Sequence, residues 1–514
     1  MKICLINPPY NNGDWDTYLL IMQHIGIGYI ASVLEADGYA VDVIECPGEG
    51  KNIRDVIKQI EIQQYDMIGI SVYFTNKVYA FKLINSIKAL FPNTFLYLGG
   101  YYPSLYLEEA HKTFDMVDCF VISEGEYTCL DLVKTLEANG DWKQVKGISY
   151  LENDKIVMNE PREAVADIDV IPFPKRVVIK DMSVLPIISS RGCYGRCKFC
   201  GVREFYNLEN ITKIRMRSAE NFISEIESVI EEFKPKGFFV SDETFFVGSV
   251  ERKKWLDTFF ELLREKNINI EFRCQCRAND VLNNFEYIEK AVEHGMTHLF
   301  IGIESFVQRQ LDYYQKDNIV ETNIKAIEMA KQLNVNLQAG LMLLDPYITI
   351  PEIKENIRVI RSLDLINCLY LDETPPFSRS ALMAIEGTVL YNELKNDNLL
   401  ARNDNNYNFY DEKTQKYYSY IDRWNKYTQV TVNNMHIISY LKEVNIDDGK
   451  KSESLKKEIM ATDLDFIDVL SDMIMQNKPN EELESLFADL SVVLIEKNEQ
   501  MKSLFHKHGF KTKG

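Results

Sequence analysis

Through the first 150 residues, short apolar runs alternate with longer segments of helical period. Strands of a parallel sheet are covered on both faces and read as near-continuous apolar runs. The pattern predicts strands at Lys2–Asn7, Ala40–Glu45, Met67–Val72, Thr94–Leu98 and Cys119–Ser123, with helices between them. Strands separated by helices give an α/β, doubly wound, flavodoxin-like sheet. Turn signals come after four of the strands, at Asn7-Pro8-Pro9, Cys46-Pro47-Gly48, Gly99-Gly100 and Glu124-Gly125-Glu126. They gather on the carboxyl edge of the sheet, where such folds bind ligands.

An extended connector is predicted from 151 to 184, carrying Pro161 and Ile171-Pro172-Phe173-Pro174, because proline disfavours helix and sheet interiors. From 185 to 395 strand and helix patterns alternate again, with strands at Leu185–Ser190, Gly237–Ser241, Ile268–Cys276, His298–Ile303, Asn336–Leu343 and Asn367–Leu371. Six such units make a partial (βα)6 barrel whose site lies at the carboxyl ends of its strands. Helices are expected at Ser218–Phe233, capped by Ser218, and at Val320–Leu333. From 396 onward the pattern is mostly helical, with helices at Ser454–Gln476 and Asn480–Gln500 that pack as an amphipathic bundle on the barrel. Tyr417, Tyr418, Tyr420, Trp424 and Tyr427 read as core of that bundle rather than a lid, and 506–513 as a solvated tail.

A length of 514 residues suits three or so domains. With 58 basic and 77 acidic residues, the net charge of −19 argues against nucleic acid or an anionic membrane as partner. No apolar stretch is long enough to span a bilayer, so a soluble, cytoplasmic protein is expected. Its ten cysteines then read as ligands and core residues rather than disulfides.

Three of those cysteines lie within eight residues, at Cys193, Cys197 and Cys200, directly after the first barrel strand. Structural zinc needs a fourth thiolate or imidazole, and none occurs between Cys200 and Asn221. A [4Fe-4S] cluster normally takes four cysteines, so three would leave one iron open to a substrate or cofactor. No cysteine lies beyond Cys368, so a single cluster is expected.

The C-x3-C-x2-C spacing with Phe199 before the last cysteine resembles the radical S-adenosylmethionine superfamily. The N-terminal half resembles the cobalamin-binding domain of one large branch of it. Ile6-Asn7-Pro8-Pro9, Ile25-Gly26-Ile27-Gly28-Tyr29, Ile68-Gly69-Ile70-Ser71, Leu98-Gly99-Gly100-Tyr101-Tyr102-Pro103 and Ser123-Glu124-Gly125-Glu126-Tyr127-Thr128 carry the likeness. The resemblance implies that Asn7, Pro8, Ser71, Thr75, Gly99, Gly100, Glu124 and Gly125 hold cobalamin, the glycines admitting its nucleotide tail. None of the seven histidines has Asp two residues before it, so the cobalt-ligating D-x-H-x-x-G of other cobalamin domains is absent.

For S-adenosylmethionine the resemblance implies Asp242 and Glu243 near the methionyl amine, Arg277 near its carboxylate or the substrate, Glu304 and Ser305 of the Gly302-Ile303-Glu304-Ser305 run near the ribose or amine, and Phe199 by the adenine. Arg215, Arg217 and Glu220 match a pattern that fixes the loop. Leu343-Leu344-Asp345-Pro346 departs from the family's Gly-x-Pro. Cys274 and Cys276 alternate with Arg273, Gln275 and Arg277, which makes the two thiols wall packing. The implied activity is methylation of an unactivated carbon through a 5'-deoxyadenosyl radical and methylcobalamin. A cyclisation, rearrangement or oxidation without methyl transfer shares every motif, and a non-catalytic cobalamin or iron-sulfur sensor is the reading from another class. Expected partners are a small-molecule or peptide substrate and an external donor such as flavodoxin or ferredoxin.

Overall fold

The computed structural model describes residues 1–10, 22–180, 182–209, 213–368, 376–401, 407–435 and 437–512. Its N-terminal sheet is built from β1 (Lys2–Asn7), β2 (Ala40–Glu45), β3 (Met67–Ser71), β4 (Phe95–Gly99), β5 (Cys119–Val121), β6 (Ile148–Glu152) and β7 (Lys155–Met158). The order is β2-β1-β3-β4-β5-β6-β7. The first five strands run parallel and the last two antiparallel. Alternation along β1 sends Ile3 and Leu5 into one core and Cys4 and Ile6 into the other. Helices on both faces complete the doubly wound arrangement expected from the sequence.

The hairpin β6–β7 corrects one boundary. Residues 151–158, read as connector, extend the N-terminal sheet, and the extended chain begins only after Met158. That chain is fastened at both sides: Lys175 N donates to Gly28 O (3.0 Å), and Arg176 reaches Pro186 O and Glu225 (both 2.8 Å).

The second sheet takes β8 (Val184–Ile187), β11 (Gly237–Val240), β12 (Glu271–Arg277), β13 (Met296–Glu304) and β14 (Asn336–Leu341), in the order β14-β13-β12-β11-β8 and all parallel. Between β8 and β11, the two-residue strands β9 (Ser190–Arg191) and β10 (Arg215–Met216) pair antiparallel. Of the sixth strand expected at Asn367–Leu371, Leu365–Cys368 forms a 3-10 turn and 369–371 lie outside the described residues. The sheet therefore has five strands among the described residues. Ser218 caps the helix Ala219–Phe233, its hydroxyl accepting from Asn221 N at 3.1 Å.

Helices Glu412–Asn434, Ile437–Val444, Ile446–Met475 and Asn480–Lys507 make the C-terminal bundle. Tyr417 and Trp424 are fully buried there, Trp424 stacked on Phe466 at 3.9 Å, so these aromatics are core. The tail is less free than its composition suggests. Lys507 and His508 both reach the buried Asp448 (2.6 and 2.8 Å), closing a basic end onto an acidic helix start. Among the described residues no helix is long and apolar enough to cross a membrane.

Candidate functional site

The cysteine loop begins where β8 ends, and two acidic residues after β11 hold its entry. Asp242 is fully buried and accepts from Ser189 N (2.7 Å), Ser189 Oγ (2.5 Å) and Ser190 Oγ (2.6 Å), with Arg252 beside it at 3.3 Å. Its carboxylate is spent on the strand end, so the structure does not bring it to an open ligand position; its neighbour differs. Glu243 faces a cavity, accepts from Gly192 N (3.1 Å) and Tyr206 OH (3.0 Å), and is pushed up to about 7 by burial and then by Asp242.

The loop itself is gripped from the barrel. Lys198 N donates to Tyr314 O (3.1 Å), Lys198 O accepts from Leu390 N (3.0 Å), and Phe199 meets the Tyr314 ring edge-on at 5.6 Å. Phe199 is thus a packing contact as well as a candidate adenine neighbour. Burial pushes the Cys200 thiol up to about 11 and raises Cys193 too. Cys193 and Cys200 are therefore poor free nucleophiles, and a strongly cationic partner such as iron would be needed to ionise them. Cys193 and Cys200 each feel the charge of Cys197, yet among the described residues no three acidic, His or Cys side chains converge on a single ion.

Across the barrel mouth, Glu304 sits at a bulge with φ +65°, its carboxylate accepting from Lys316 Nζ at 2.6 Å. Ser305 is turned away from the mouth. It is fully buried, bonded to Gln310 Oε1 (2.6 Å) and accepting from Val307 N (2.9 Å), so it braces the turn rather than a ligand. Arg277 lies under the cysteine loop, with Nη1 3.5 Å from Cys197 Sγ. Cys274 and Cys276 are buried wall residues, as their alternation predicts.

Between the two sheets lies a cavity of about 420 Å³. Ser71, Gly99, Gly100, Glu124 and Gly125 line it from the N-terminal side, all at carboxyl ends of strands. Ser190, Arg191, Tyr206 and Glu243 line it from the barrel side. Asn7, Pro8 and Thr75 are not in its wall; Asn7 is buried with its amide donating to Glu45 (2.8 Å). Gly100 has φ +100°, and a Cβ there would lie 3.0 Å from Val72 O and 3.1 Å from Ser71 Oγ. Glycine at 100 is thus required by the chain's own turn, which lies at the carboxyl edge of a parallel sheet, where such folds take ligands.

Glu124 does more than line the cavity. Arg215 reaches it with both terminal nitrogens (2.5 and 3.0 Å), and Arg191 at 3.2 Å, while Arg191 also pairs with Glu126 at 2.7 Å. Although burial alone would raise it, Arg215 and Arg191 hold the Glu124 carboxyl below the usual carboxylate range. This buried cluster ties the edge of the N-terminal sheet to the β9–β10 ribbon beside the cavity.

Sequence reasoning missed His24, which lines the cavity from the segment between β1 and the first described helix. Its Nδ1 accepts from Ile27 N (3.3 Å) and its Nε2 meets Ser71 Oγ (3.0 Å). A neutral imidazole with Nδ1 accepting carries its proton on Nε2. Burial lowers its pKa to about 4, so it stays neutral and donates to Ser71. The only signal was its position one residue before a glycine-rich helix start. Tyr73 and Tyr101 continue the wall, linked ring to ring from His24 (5.2 and 5.8 Å), and Tyr101 stacks on Phe205 at 4.4 Å.

The radical SAM superfamily matches residues 187–360 and the B12 binding domain matches residues 15–133. An uncharacterized methyltransferase of Pyrococcus horikoshii is 26% identical over 399 residues, which cover 76% of this chain and 84% of that protein. The 4'-phospho-dehydrooxetanocin synthase of Priestia megaterium is 27% identical over 374 residues, covering 67% of this chain and 49% of the synthase. The chain thus spans about half the length of that relative. The structure of the cobalamin-dependent S-adenosylmethionine radical enzyme OxsB, with aqua-cobalamin and S-adenosylmethionine bound, superposes with a TM-score of 0.79 at 19% identity, covering all of this chain and 82% of that one, which shows the fold. The chain thus carries a radical SAM domain and a B12 binding domain in the three-part fold of OxsB, domains whose groups are a [4Fe-4S] cluster with S-adenosylmethionine and cobalamin.

Proposed function

We propose that this enzyme methylates an unactivated carbon of a small-molecule substrate. The observation that carries the reading is a cavity whose wall runs from the glycine edge of the B12 domain to Glu243, which itself holds the backbone of the cysteine loop. The methyltransferase relative, matched over 84% of its own length, supports methyl transfer in particular. When bound, the three groups supply reductive cleavage of S-adenosylmethionine, hydrogen abstraction and methyl delivery.

The chain's own residues place them. Cys193, Cys197 and Cys200 would hold the cluster by three corners, leaving one iron for S-adenosylmethionine. Glu243 and Glu304 present carboxylates on either side of the loop, suited to the methionyl ammonium and the ribose hydroxyls. Ser71, oriented by His24, and the bare backbone of Gly99 and Gly100 would receive cobalamin, and the Glu124 clamp excludes water by holding both walls together. We place the protein in the cytoplasm, reduced by an external flavodoxin or ferredoxin.

The synthase relative favours a second reading, radical chemistry without methyl transfer. Anaerobic turnover with mass analysis separates them. Methylation yields S-adenosylhomocysteine and 5'-deoxyadenosine together, with the substrate gaining one methyl. Release of 5'-deoxyadenosine with no S-adenosylhomocysteine would overturn the methylation reading and leave the second.

A further inference from the structure

Arg277 ends β12, is 6% exposed, and crosses beneath the cysteine loop. Its Nη1 points at Cys197 Sγ (3.5 Å), its Nη2 donates to Lys316 O, and its guanidinium lies 5.1 Å from the Tyr194 ring centre. Tyr194 is fixed in turn through its hydroxyl to Asp280 (2.7 Å), which also accepts from Thr244 Oγ1 (2.8 Å) and from Arg277 N (3.3 Å). The passage exists because residue 195 is glycine: a Cβ there would lie 2.0 Å from Nη1. Gly195 N meanwhile donates to Cys193 Sγ at 3.3 Å. Two of these contacts reach the thiols, Arg277 Nη1 to Cys197 Sγ and Gly195 N to Cys193 Sγ, the others fix the guanidinium and Tyr194 in place, and Arg277 is not in the wall of the cavity between the sheets.

We propose that Arg277 is a positioning residue for the cluster's electron: its N–H bonds Cys197 Sγ and its fixed positive charge favours the reduced, more negative cluster. The proposal rests on the reading that Cys193, Cys197 and Cys200 carry a [4Fe-4S] cluster. Hydrogen bonds to ligand sulfurs and local charge are the levers a protein has on such potentials. A guanidinium is suited to the place, since it stays charged when buried and its planar fork serves a sulfur and a carbonyl at once. The resemblance would instead place Arg277 near the carboxylate of S-adenosylmethionine or the substrate, and such a ligand contact and the role proposed here differ in what they move.

The test is an EPR-monitored redox titration of the anaerobically reconstituted protein without S-adenosylmethionine. In Arg277→Gln the midpoint falls, so that at a fixed potential the ratio of reduced to oxidised cluster drops by about tenfold, which is 59 mV for a one-electron couple. Arg277→Lys, which keeps the charge, recovers most of the shift. Gly195→Ala, which displaces the guanidinium without removing it, moves the midpoint the same way. An unchanged midpoint in a fully loaded Arg277→Gln protein, with weakened S-adenosylmethionine binding, overturns the proposal in favour of the carboxylate role. Loss of the cluster from both Arg277→Gln and Gly195→Ala overturns it too, by making Arg277 a folding residue. Failure of the wild-type chain to load a cluster would sink the underlying cluster reading itself, a separate outcome.

Discussion

Glu124→Ala separates a clamp from a ligand contact. The Glu124 side chain is 10% exposed and its partners Arg191 and Arg215 are each 9% exposed, so removing the carboxylate leaves buried cations behind. Breaking a buried, hydrogen-bonded pair from one side costs about 3–5 kcal/mol. Arg191 keeps Glu126 and Arg215 keeps the carbonyl of Val165, which puts the loss near the lower end, about 3 kcal/mol. For a unit the size of the N-terminal domain, that is a fall in Tm of about 6–12 °C. Glu124→Gln retains acceptor and shape without charge, and should fall roughly half as far. The assay is thermal unfolding of the cofactor-free protein, monitored by circular dichroism. Because Glu124 is held below the usual carboxylate range, its contribution is present at neutral pH and is lost as pH falls through that lowered value; the gap between wild type and Glu124→Ala should therefore close in acid. An unchanged Tm in the cofactor-free variant, with only cobalamin affinity reduced, would refute the clamp and return Glu124 to the ligand.

The same geometry sets three further outcomes. Gly100→Ala, forced to φ +100° against Val72 O, should lose about 1–3 kcal/mol in denaturant titrations, whereas Gly99→Ala, whose Cβ meets only Val121 at 3.7 Å, should lose nothing measurable. Equal losses would contradict the strain argument. With Glu243 pushed up to about 7, its carboxylate form, and hence S-adenosylmethionine binding by calorimetry, should strengthen as pH rises through that value. Glu243→Gln should flatten the profile, and a persisting step would assign the titration elsewhere. The Nε2–H tautomer of His24 cannot ligate cobalt, so EPR of bound cob(II)alamin should show no nitrogen splitting from the protein and no change in His24→Ala. Nitrogen splitting abolished by His24→Ala would overturn that reasoning.

Much of the fold was legible because buried parallel strands announce themselves as apolar runs, as Lys2–Asn7 and Ala40–Glu45 do, and because their carboxyl edges mark the site in advance. The hairpin β6–β7 was hidden because Leu151, Ile156 and Met158 face solvent on an edge, so its pattern is weak. Candidate site residues stand out where spacing within one segment carries them, as in the cysteine loop. They are hardest to read where a polar residue's partners come from distant segments. Asp242 and Ser305 have the right residue type at the right strand ends, but Ser189, Arg252, Gln310 and Asn356 consume them. Nothing local distinguishes a satisfied carboxylate from a waiting one. The same blindness hid the Glu124–Arg215 clamp, whose partners lie 91 residues apart.

If three thiols leave one iron of a cluster open, S-adenosylmethionine binds that iron directly. EPR of the dithionite-reduced, reconstituted protein with and without S-adenosylmethionine tests it most directly. The expected result is a [4Fe-4S]+ signal whose g-values shift when S-adenosylmethionine is added, and which is absent from Cys197→Ala. A cluster signal unmoved by saturating S-adenosylmethionine, or one that survives Cys197→Ala intact, would contradict it.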